Sequence, residues 1–299
     1  MARKQYSNIA FEGGGIKGIA YVGVLKAFND LNISHSLSHF IGTSVGSIFA
    51  LLMSCRCSND EIDIYSKKLF SELTKVNHNI FVKCFNLLKY DGLYDNINIY
   101  EAINNFFTNK YNVPKMTFSE LYKLTSNELI IVGTCLSTRK VYYFNYVNNP
   151  DMEVAKAIQI STCVPIFYKT VEYNNMDFAD GGIVLNFPVN YFNKNTIGIC
   201  FKDNDVNKHY SGLVSLMEVI EDTQLSMNIS LSMKNQKPSD LVIIDTGNIS
   251  FLDFNISQEQ INILEQTGYD TTKKKLSYIS VSWTEYFSSF FRLPYLKLY

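Results

Sequence analysis

The most informative absence from this 299-residue sequence is that of any long apolar run. A transmembrane helix needs about 20 consecutive apolar residues, and a secretory signal needs an apolar stretch of about 7–15 residues behind a charged start. Neither pattern occurs, because the first residues, MARKQYSNIAFEGGG, pass directly from charged side chains into a short predicted strand and a glycine turn. The sequence therefore predicts a cytoplasmic protein with no signal peptide and no transmembrane segment.

An excess of charge of either sign is also missing. The chain has 27 Lys and Arg against 28 Asp and Glu, for a formal net charge of -1. Affinity for nucleic acid depends on clustered basic side chains. The only dense basic run, at residues 273–275, is typical of a solvated helix face. The sequence therefore predicts no nucleic-acid partner.

Cysteines at metal-binding or disulfide spacings are lacking as well. Of the six cysteines, only Cys55 and Cys57 are close in sequence, which favours reduced and mostly buried thiols. Residues 203–207 alternate oxygen-bearing side chains as an EF-hand loop does, but Lys208 stands where that loop needs glycine. We therefore expect no metal and no cofactor. The cysteines are Cys55, Cys57, Cys84, Cys135, Cys163 and Cys200.

No linker, composition break or internal repeat divides the chain. Its content of 46% hydrophobic and 18% charged residues is typical of a globular protein with a sizeable core. The sequence therefore predicts one domain over residues 1–299.

Strands and helices alternate at the start of the chain. Asn8–Phe11 is a predicted strand, Ile19–Leu31 has helical apolar spacing, and Leu37–Ile41 is a second predicted strand. The following residues, SIFALLMSC, are apolar on nearly every side of a helix, which indicates burial. This alternation predicts an α/β fold with a mostly parallel sheet and functional residues at the carboxyl ends of its strands.

Later segments continue the pattern. Near the C-terminus, Ser257 and Gln260 predict a capping box for a helix through Gln266, and Gly268 is placed to end it. Helical patterns also occur within NINIYEAINNFF and at Val154–Ile160. Further strands are predicted at Glu128–Val132, Lys140–Asn145, Met176–Ala179, Thr196–Phe201 and Leu241–Ile244.

The glycine-rich stretch EGGGIKG at residues 12–18 permits two interpretations. Its glycines satisfy G-x-G-x-x-G, but a dinucleotide-binding turn needs an acidic residue about 20 positions later, and none occurs between Asp30 and Asp60. A phosphate-binding P-loop is excluded because Gly18 follows Lys17 where Ser or Thr is required. The stretch instead favours an oxyanion hole built from backbone amides at a helix N-terminus.

The second predicted strand leads into the pentapeptide GTSVG, which matches the G-x-S-x-G nucleophile elbow. Gly42 and Gly46 permit the strained turn between strand and helix that exposes a serine oxygen. Thr43 and Val45 flank Ser44, the candidate nucleophile, and the next helix directs its positive N-terminal end to the same place. A turn of small residues is the alternative for the pentapeptide alone, but the strand before it and the buried helix after it favour the elbow.

Two residues are candidates for the base that activates Ser44. The order Ser44, Asp180, His209 satisfies the chain order of an α/β-hydrolase triad, although that fold places its nucleophile after several strands rather than two. Asp180 is also a candidate to act directly, since it ends an apolar strand and is followed by Gly181 and Gly182, which leave its carboxylate uncrowded. An Asp-Gly turn is the alternative for that motif.

The order and spacing of GGGIKG, GTSVG and DGG resemble the patatin-like phospholipases, serine acylhydrolases with a Ser-Asp dyad and no histidine. ISTCVPIFYKTVEY is similar to the family's Ser-x-x-x-Pro stretch, and NFPV at residues 186–189 to its Asn-Pro-Val segment. The resemblance covers a motif-bearing core of about residues 7–200, and LDFNISQEQINILEQTGY in the C-terminal extension (about 201–299) resembles segments of some members. It implies a three-layer α/β/α sandwich around a mostly parallel central sheet.

The resemblance also implies roles for individual residues. Ser44 is expected to be the nucleophile and Asp180 the proton acceptor, with an oxyanion hole formed by the amides of Gly13, Gly14 and Gly15. Lys17 stands where many members have Arg, which keeps the charge but loses the bidentate geometry. The implied substrate is a phospholipid or another acyl lipid, with no calcium and no cofactor.

Two alternatives to a lipid acyl hydrolase stay open at this point. One is an esterase or thioesterase for soluble acyl groups, and the other is a catalytically silent lipid-binding protein. The aromatic C-terminal segment SYISVSWTEYFSSFFRLPYLKLY suggests peripheral contact with a membrane, against the competing interpretation of a helix packed on the core.

Overall fold

The computed structural model describes residues 6–73, 92–202, 213–234, 240–250 and 256–277. Several sequence hypotheses fall elsewhere: His209, the loop at 203–207, Cys84 and the aromatic segment at 278–299 lie outside the described residues.

In the described ranges, eight strands form one open sheet and two short strands, β3 and β6, pair separately. The order across the main sheet is β10-β9-β1-β2-β4-β8-β7, with β5 also pairing with β4. Neighbouring strands are parallel to each other from β10 through β9, β1 and β2 to β4. Strands β5 and β8 pair antiparallel with β4, and β7 pairs antiparallel with β8. The strands are β1 (Asn8–Phe11), β2 (His39–Thr43), β3 (Gly92–Tyr94), β4 (Glu128–Cys135), β5 (Lys140–Phe144), β6 (Ile166–Tyr168), β7 (Val171–Tyr173), β8 (Met176–Asp180), β9 (Thr196–Phe201) and β10 (Leu241–Ile244).

Helices cover both faces of this sheet. Alternate residues of β1 enter different apolar clusters: Ile9 and Phe11 pack on the face that carries α1 and α2, and Ala10 packs on the face near α8. The predicted α/β fold with a mostly parallel central sheet is confirmed. The helices are α1 (Ala20–Asp30), α2 (Val45–Ser54), α3 (Asn59–Leu73), α4 (Ile97–Tyr111), α5 (Phe118–Thr125), α6 (Val154–Ser161), α7 (Gly182–Leu185), α8 (Leu213–Met233) and α9 (Gln258–Leu276).

Strand β2 begins and ends two residues later than its sequence pattern predicted. Its parallel pairing with β4 continues to Thr43, opposite Val132, so the first residues of the GTSVG pentapeptide belong to the strand. The helix after it, α2, is buried along its whole length, as predicted from its apolar sequence. A strand therefore runs directly into Ser44, and a buried helix follows directly from it.

Helix α9 continues past its predicted end. Its capping box forms as predicted, with Ser257 Oγ accepting a hydrogen bond from the Gln260 amide at 3.2 Å. Gly268 lies inside the helix, however. The residue there is glycine because a Cβ would stand 1.9 Å from the Ala20 carbonyl oxygen of α1. Gly23 of α1 faces the α9 backbone in the same way. The prediction that Gly268 ends the helix is wrong, since the glycine serves close packing between two helices.

Candidate active site

The sheet topology brings the end of β2 and the end of β8 together along one edge of β4. Strand β2 runs parallel to β4 and ends with Thr43 opposite Val132. Strand β8 runs antiparallel to β4 and ends with Asp180 opposite Gly133, the next residue of β4. Because β5 occupies the other edge of β4 at this level, β2 and β8 meet head to head. Ser44 and Asp180 therefore lie side by side although 136 positions separate them.

The backbone at Ser44 has the sharp turn expected of a nucleophile elbow. Ser44 has φ 52° and ψ -129°, a conformation that non-glycine residues rarely adopt. A Cβ at Gly42 would lie 2.2 Å from the Gly46 carbonyl oxygen, and a Cβ at Gly46 would lie 2.5 Å from the Glu12 carbonyl oxygen. Both glycines of the pentapeptide are thus required by close backbone contacts.

Two serine hydroxyls hold the backbone of Ser44 in this conformation. The Ser44 amide donates a hydrogen bond to Ser161 Oγ at 2.9 Å. The Ser47 hydroxyl donates to the Ser44 carbonyl oxygen at 2.6 Å. With both main-chain groups bonded, the side chain of Ser44 lines a cavity and the residue keeps 8% of its surface exposed.

Asp180 presents a buried carboxylate to the same cavity. Its Oδ1 accepts a hydrogen bond from the Gly182 amide at 2.7 Å, and its buried Oδ2 has no hydrogen bond of good geometry from any described residue. Burial raises the pKa of Asp180 from 3.8 to about 7, although the Ser44 hydroxyl and the Gly182 amide favour the ionised form. A carboxylate with a pKa near neutrality is suited to accept a proton from a serine hydroxyl.

Two of the three glycines predicted to form the oxyanion hole line the cavity. Gly14 and Gly15 line it beside Ser44, and Gly15 adopts a φ of 53°, which glycine tolerates without strain. Gly13 differs from the prediction, because its amide donates to the Asn186 carbonyl oxygen at 3.1 Å. The position of the loop therefore supports Gly14 and Gly15, rather than Gly13, as oxyanion donors.

The other residues of the glycine loop shape the turn. The Lys17 amide donates to the Gly14 carbonyl oxygen at 3.1 Å, and Lys17 is not among the described residues that line the cavity. A Cβ at Gly18 would stand 2.4 Å from Val45 Cγ2. Gly18 therefore lets the loop pack directly on the start of α2.

The remaining motif residues join the elbow to the aspartate segment. The Thr43 hydroxyl donates to the carbonyl oxygen of Leu185 at 3.0 Å. Leu185 follows Asp180 by five residues in the chain. A Cβ at Gly181 would lie 2.5 Å from the Val132 carbonyl oxygen of β4. Gly181 is therefore required by a close backbone contact, and Gly182 donates its amide to Asp180 Oδ1.

Two residues that the sequence analysis left without a role connect the glycine loop to the aspartate segment. The buried carboxylate of Glu12 accepts hydrogen bonds from the Asn186 side chain at 3.3 Å and from the Phe201 amide at 2.8 Å. The same Asn186 side chain donates to the Gly13 carbonyl oxygen at 3.1 Å. The signal in the sequence was present, since Asn186 opens the NFPV motif and Glu12 precedes the glycines.

The cavity has a volume of about 210 Å³ and a largely apolar wall opposite the polar groups. Gln224 of α8, which no sequence motif indicated, reaches it and donates to the Ile183 carbonyl oxygen. Cavities of this kind bind apolar groups next to a few placed polar atoms. The lining residues are Gly14, Gly15, Ser44, Val164, Pro165, Asp180, Gly182, Ile183, Asn186 and Gln224.

In the described ranges, no group of three or more His, Cys, Asp or Glu side chains is arranged to hold a metal ion. None of the described helices combines the length and the apolar character needed to cross a bilayer.

Comparisons with known proteins agree with this architecture. Residues 9–193 match the sequence profile of the family described as patatin-like phospholipase, and the chain therefore belongs to that family. It is 28% identical to protein R571 of Acanthamoeba polyphaga mimivirus, over 92% of this chain and 95% of that protein. It is 25% identical to the probable lipid hydrolase 463L of Invertebrate iridescent virus 6, over 88% of this chain and 90% of that protein.

Among solved structures, VipD from Legionella pneumophila is similar in fold. The TM-score is 0.57 at 15% sequence identity, with 92% of this chain and 67% of VipD covered. At this identity the likeness concerns the fold alone. Family membership together with the viral relative supports a hydrolase of lipid esters.

Proposed function

We propose that this protein is a lipid acyl hydrolase of the phospholipase A type that forms an acyl-enzyme at Ser44 with Asp180 as general base. One observation carries the proposal. A serine on a strained elbow and a buried carboxylate with a free Oδ2 line one small cavity beside the glycine loop, in a chain of the patatin-like phospholipase family.

The proposed reaction is a two-step acyl transfer. Asp180 takes the hydroxyl proton of Ser44 as Oγ attacks the ester carbonyl carbon, and the amides of Gly14 and Gly15 stabilise the oxyanion. When the tetrahedral intermediate collapses, the carbon–oxygen ester bond breaks and Asp180 returns the proton to the leaving lysolipid oxygen. In the second step Asp180 takes a proton from water as the water oxygen attacks the acyl carbon. The bond from that carbon to Ser44 Oγ then breaks, Asp180 returns the proton to Oγ, and a fatty acid leaves.

A dyad fits the described cavity better than a triad. No histidine is among the described residues that line it, and the Ser44 hydroxyl lies within hydrogen-bonding reach of the Asp180 carboxylate. Its pKa of about 7 lets Asp180 act without an intervening imidazole. His209, the triad alternative, lies outside the described residues.

The shape of the cavity favours an acyl substrate. Val164, Pro165 and Ile183 supply an apolar wall next to Ser44, as an acyl chain requires. The cavity volume of about 210 Å³ is below the roughly 300–1,000 Å³ of pockets that enclose a whole drug-sized ligand. The cavity therefore accommodates the ester and part of one chain, and the rest of the lipid extends outward. Peripheral contact with a membrane is part of this proposal.

The proposal is tested by incubating the full chain with phospholipid vesicles and resolving the products by mass. We expect the wild type to release fatty acid and lysophospholipid, and Ser44→Ala and Asp180→Asn to lose turnover by at least about 1,000-fold. Ser54→Ala and Asp177→Asn are matched controls, because Ser54 is a buried serine of α2 that bonds the Leu51 carbonyl and Asp177 is an exposed residue of β8. Both controls are expected to retain activity.

The outcomes separate the alternatives. Full turnover in either dyad variant would contradict the Ser-Asp mechanism. Faster hydrolysis of short soluble esters or thioesters than of vesicle phospholipids would support a soluble-acyl esterase instead. Absence of labelling by a fluorophosphonate probe at Ser44 would indicate a catalytically silent lipid-binding protein.

A further inference from the structure

The C-terminal end of α6 contacts both members of the proposed dyad. Ser161, the last residue of α6, accepts a hydrogen bond from the Ser44 amide through its Oγ at 2.9 Å. Two residues later, the Cys163 carbonyl oxygen accepts from the Asp180 amide at 2.9 Å. Ser161 and Cys163, two residues apart in the chain, therefore hold the backbone of the nucleophile and the backbone of the base.

The hydrogen bond from Ser161 replaces one that regular secondary structure does not supply. Strand β2 ends at Thr43 and α2 begins at Val45, so the Ser44 amide is bonded neither in the β2–β4 ladder nor within α2. A buried amide without an acceptor is costly, and Ser161 Oγ is the acceptor that the fold provides. Ser161 has no exposed surface, so bulk water does not reach its side chain to take over this role.

We propose that Ser161 is a positioning residue that fixes the orientation of Ser44 relative to Asp180. Its hydroxyl holds the amide side of the elbow, while the Ser47 hydroxyl holds the carbonyl side at 2.6 Å. Loss of the Ser161 hydroxyl allows the peptide before Ser44 to rotate and moves Oγ away from the carboxylate. This role presupposes the proposed function, and it acts on the chemical step rather than on lipid binding.

The test compares Ser161→Ala and Ser161→Thr with a matched control, Thr162→Val. Thr162 is the adjacent buried residue, and its hydroxyl donates to the Ile158 carbonyl oxygen of α6 at 2.9 Å. The control therefore removes a buried hydroxyl whose hydrogen bond is made to α6 and not to Ser44. The measurements are the rate of Ser44 labelling by a fluorophosphonate, kcat and KM on phosphatidylcholine vesicles, and the melting temperature.

We expect Ser161→Ala to lower the labelling rate and kcat by about 5- to 100-fold, with KM within about 2-fold of the wild type. Ser161→Thr keeps the hydroxyl and is expected to recover most of the lost rate. Thr162→Val is expected to stay within about 3-fold of the wild-type rate, whatever its melting temperature. The pH midpoint of labelling should not change, because the Asp180 pKa is set by burial, the Ser44 hydroxyl and the Gly182 amide rather than by Ser161.

A wild-type labelling rate in folded Ser161→Ala would overturn the inference, as would equal losses in Ser161→Ala and Thr162→Val. If Ser161→Ala does not fold, Ser161→Cys replaces it. The thiol fills similar space but is a weak acceptor, so an intermediate rate is expected and a wild-type rate would refute the positioning role. A wild-type protein that resists labelling would refute the proposed function itself, which distinguishes the two failures.

Discussion

The raised pKa of Asp180 predicts an unusual pH dependence for a carboxylate-based hydrolase. Burial moves this pKa from 3.8 to about 7, and only the ionised carboxylate can accept the Ser44 proton. The ionised fraction of such a group is about one half at pH 7 and about 1% at pH 5. We therefore expect the reaction rate of Ser44 to fall about tenfold for each pH unit below 7 and to level off above about pH 8.

The assay is the rate of fluorophosphonate labelling of Ser44 between pH 4.5 and 9. The probe has no titrating group in this range, so the profile reports the enzyme. Protein integrity at low pH is checked by circular dichroism and by recovery of the full rate after return to pH 8. A carboxyl with its ordinary pKa of 3.8 would be more than about 90% ionised at pH 5, so a flat profile between pH 5 and 9 would refute the reasoning.

A charge placed in the cavity wall tests independently whether the pH midpoint of Ser44 labelling, expected near 7, belongs to Asp180. Ile183 lines the same cavity as Asp180, so Ile183→Lys introduces a cation that favours the ionised carboxylate. We expect the midpoint to move to lower pH in this variant and to stay near 7 in the uncharged control Ile183→Met. Identical midpoints in the two variants would mean that the titrating group is not the carboxylate in this cavity.

Three further predictions concern Asp180, Gly268 and His209. Asp180→Asn removes a carboxylate that ionises more easily in the unfolded chain than in the fold. The substitution should therefore raise the free energy of unfolding at pH 8 by up to about 4 kcal/mol and have little effect at pH 4. Urea unfolding at both pH values measures this difference, and equal effects would contradict the assigned pKa. Gly268→Ala places a Cβ 1.9 Å from the Ala20 carbonyl oxygen, so the free energy of unfolding should fall by about 2–4 kcal/mol. The folded variant should keep the wild-type rate of Ser44 labelling. An unchanged melting temperature would refute the close packing of α1 and α9. His209→Ala should keep vesicle hydrolysis within about 2-fold of the wild type, and a loss beyond about 100-fold would restore the triad.

Most elements that position the candidate site were predictable because their signals are local. Strands β1, β9 and β10 have the bounds that their apolar runs predicted, and the buried helix α2 follows from its uniformly apolar sequence. The pentapeptide at 42–46 predicts its own turn, since glycines at fixed positions on either side of a serine are what the close backbone contacts require. The capping box at Ser257 is likewise contained within four residues.

Local patterns were misleading where a distant segment contacts them. Gly268 has the position of a helix-ending glycine, but its neighbour in space is Ala20, far away in sequence, and the contact between helices outweighs the local preference. The amide of Gly13 is similarly taken by Asn186, 173 residues later. Sequence spacing alone treats the three glycines of the loop as equivalent donors, whereas the fold places Gly14 and Gly15 at the cavity and bonds the Gly13 amide to Asn186.

The sequence alone predicted the class of fold and the elbow around Ser44, because short-range backbone sterics and apolar periodicity depend on neighbouring residues. The candidate pair of Ser44 and Asp180 came from the resemblance to the patatin-like family. The tertiary structure decided how these parts meet. The head-to-head ends of β2 and β8, the hydrogen bond from Ser44 to Ser161 and the burial that raises the pKa of Asp180 all depend on segments far from Ser44 in the chain. Burial and long-range pairing are properties of the packed chain, and no local pattern encodes them.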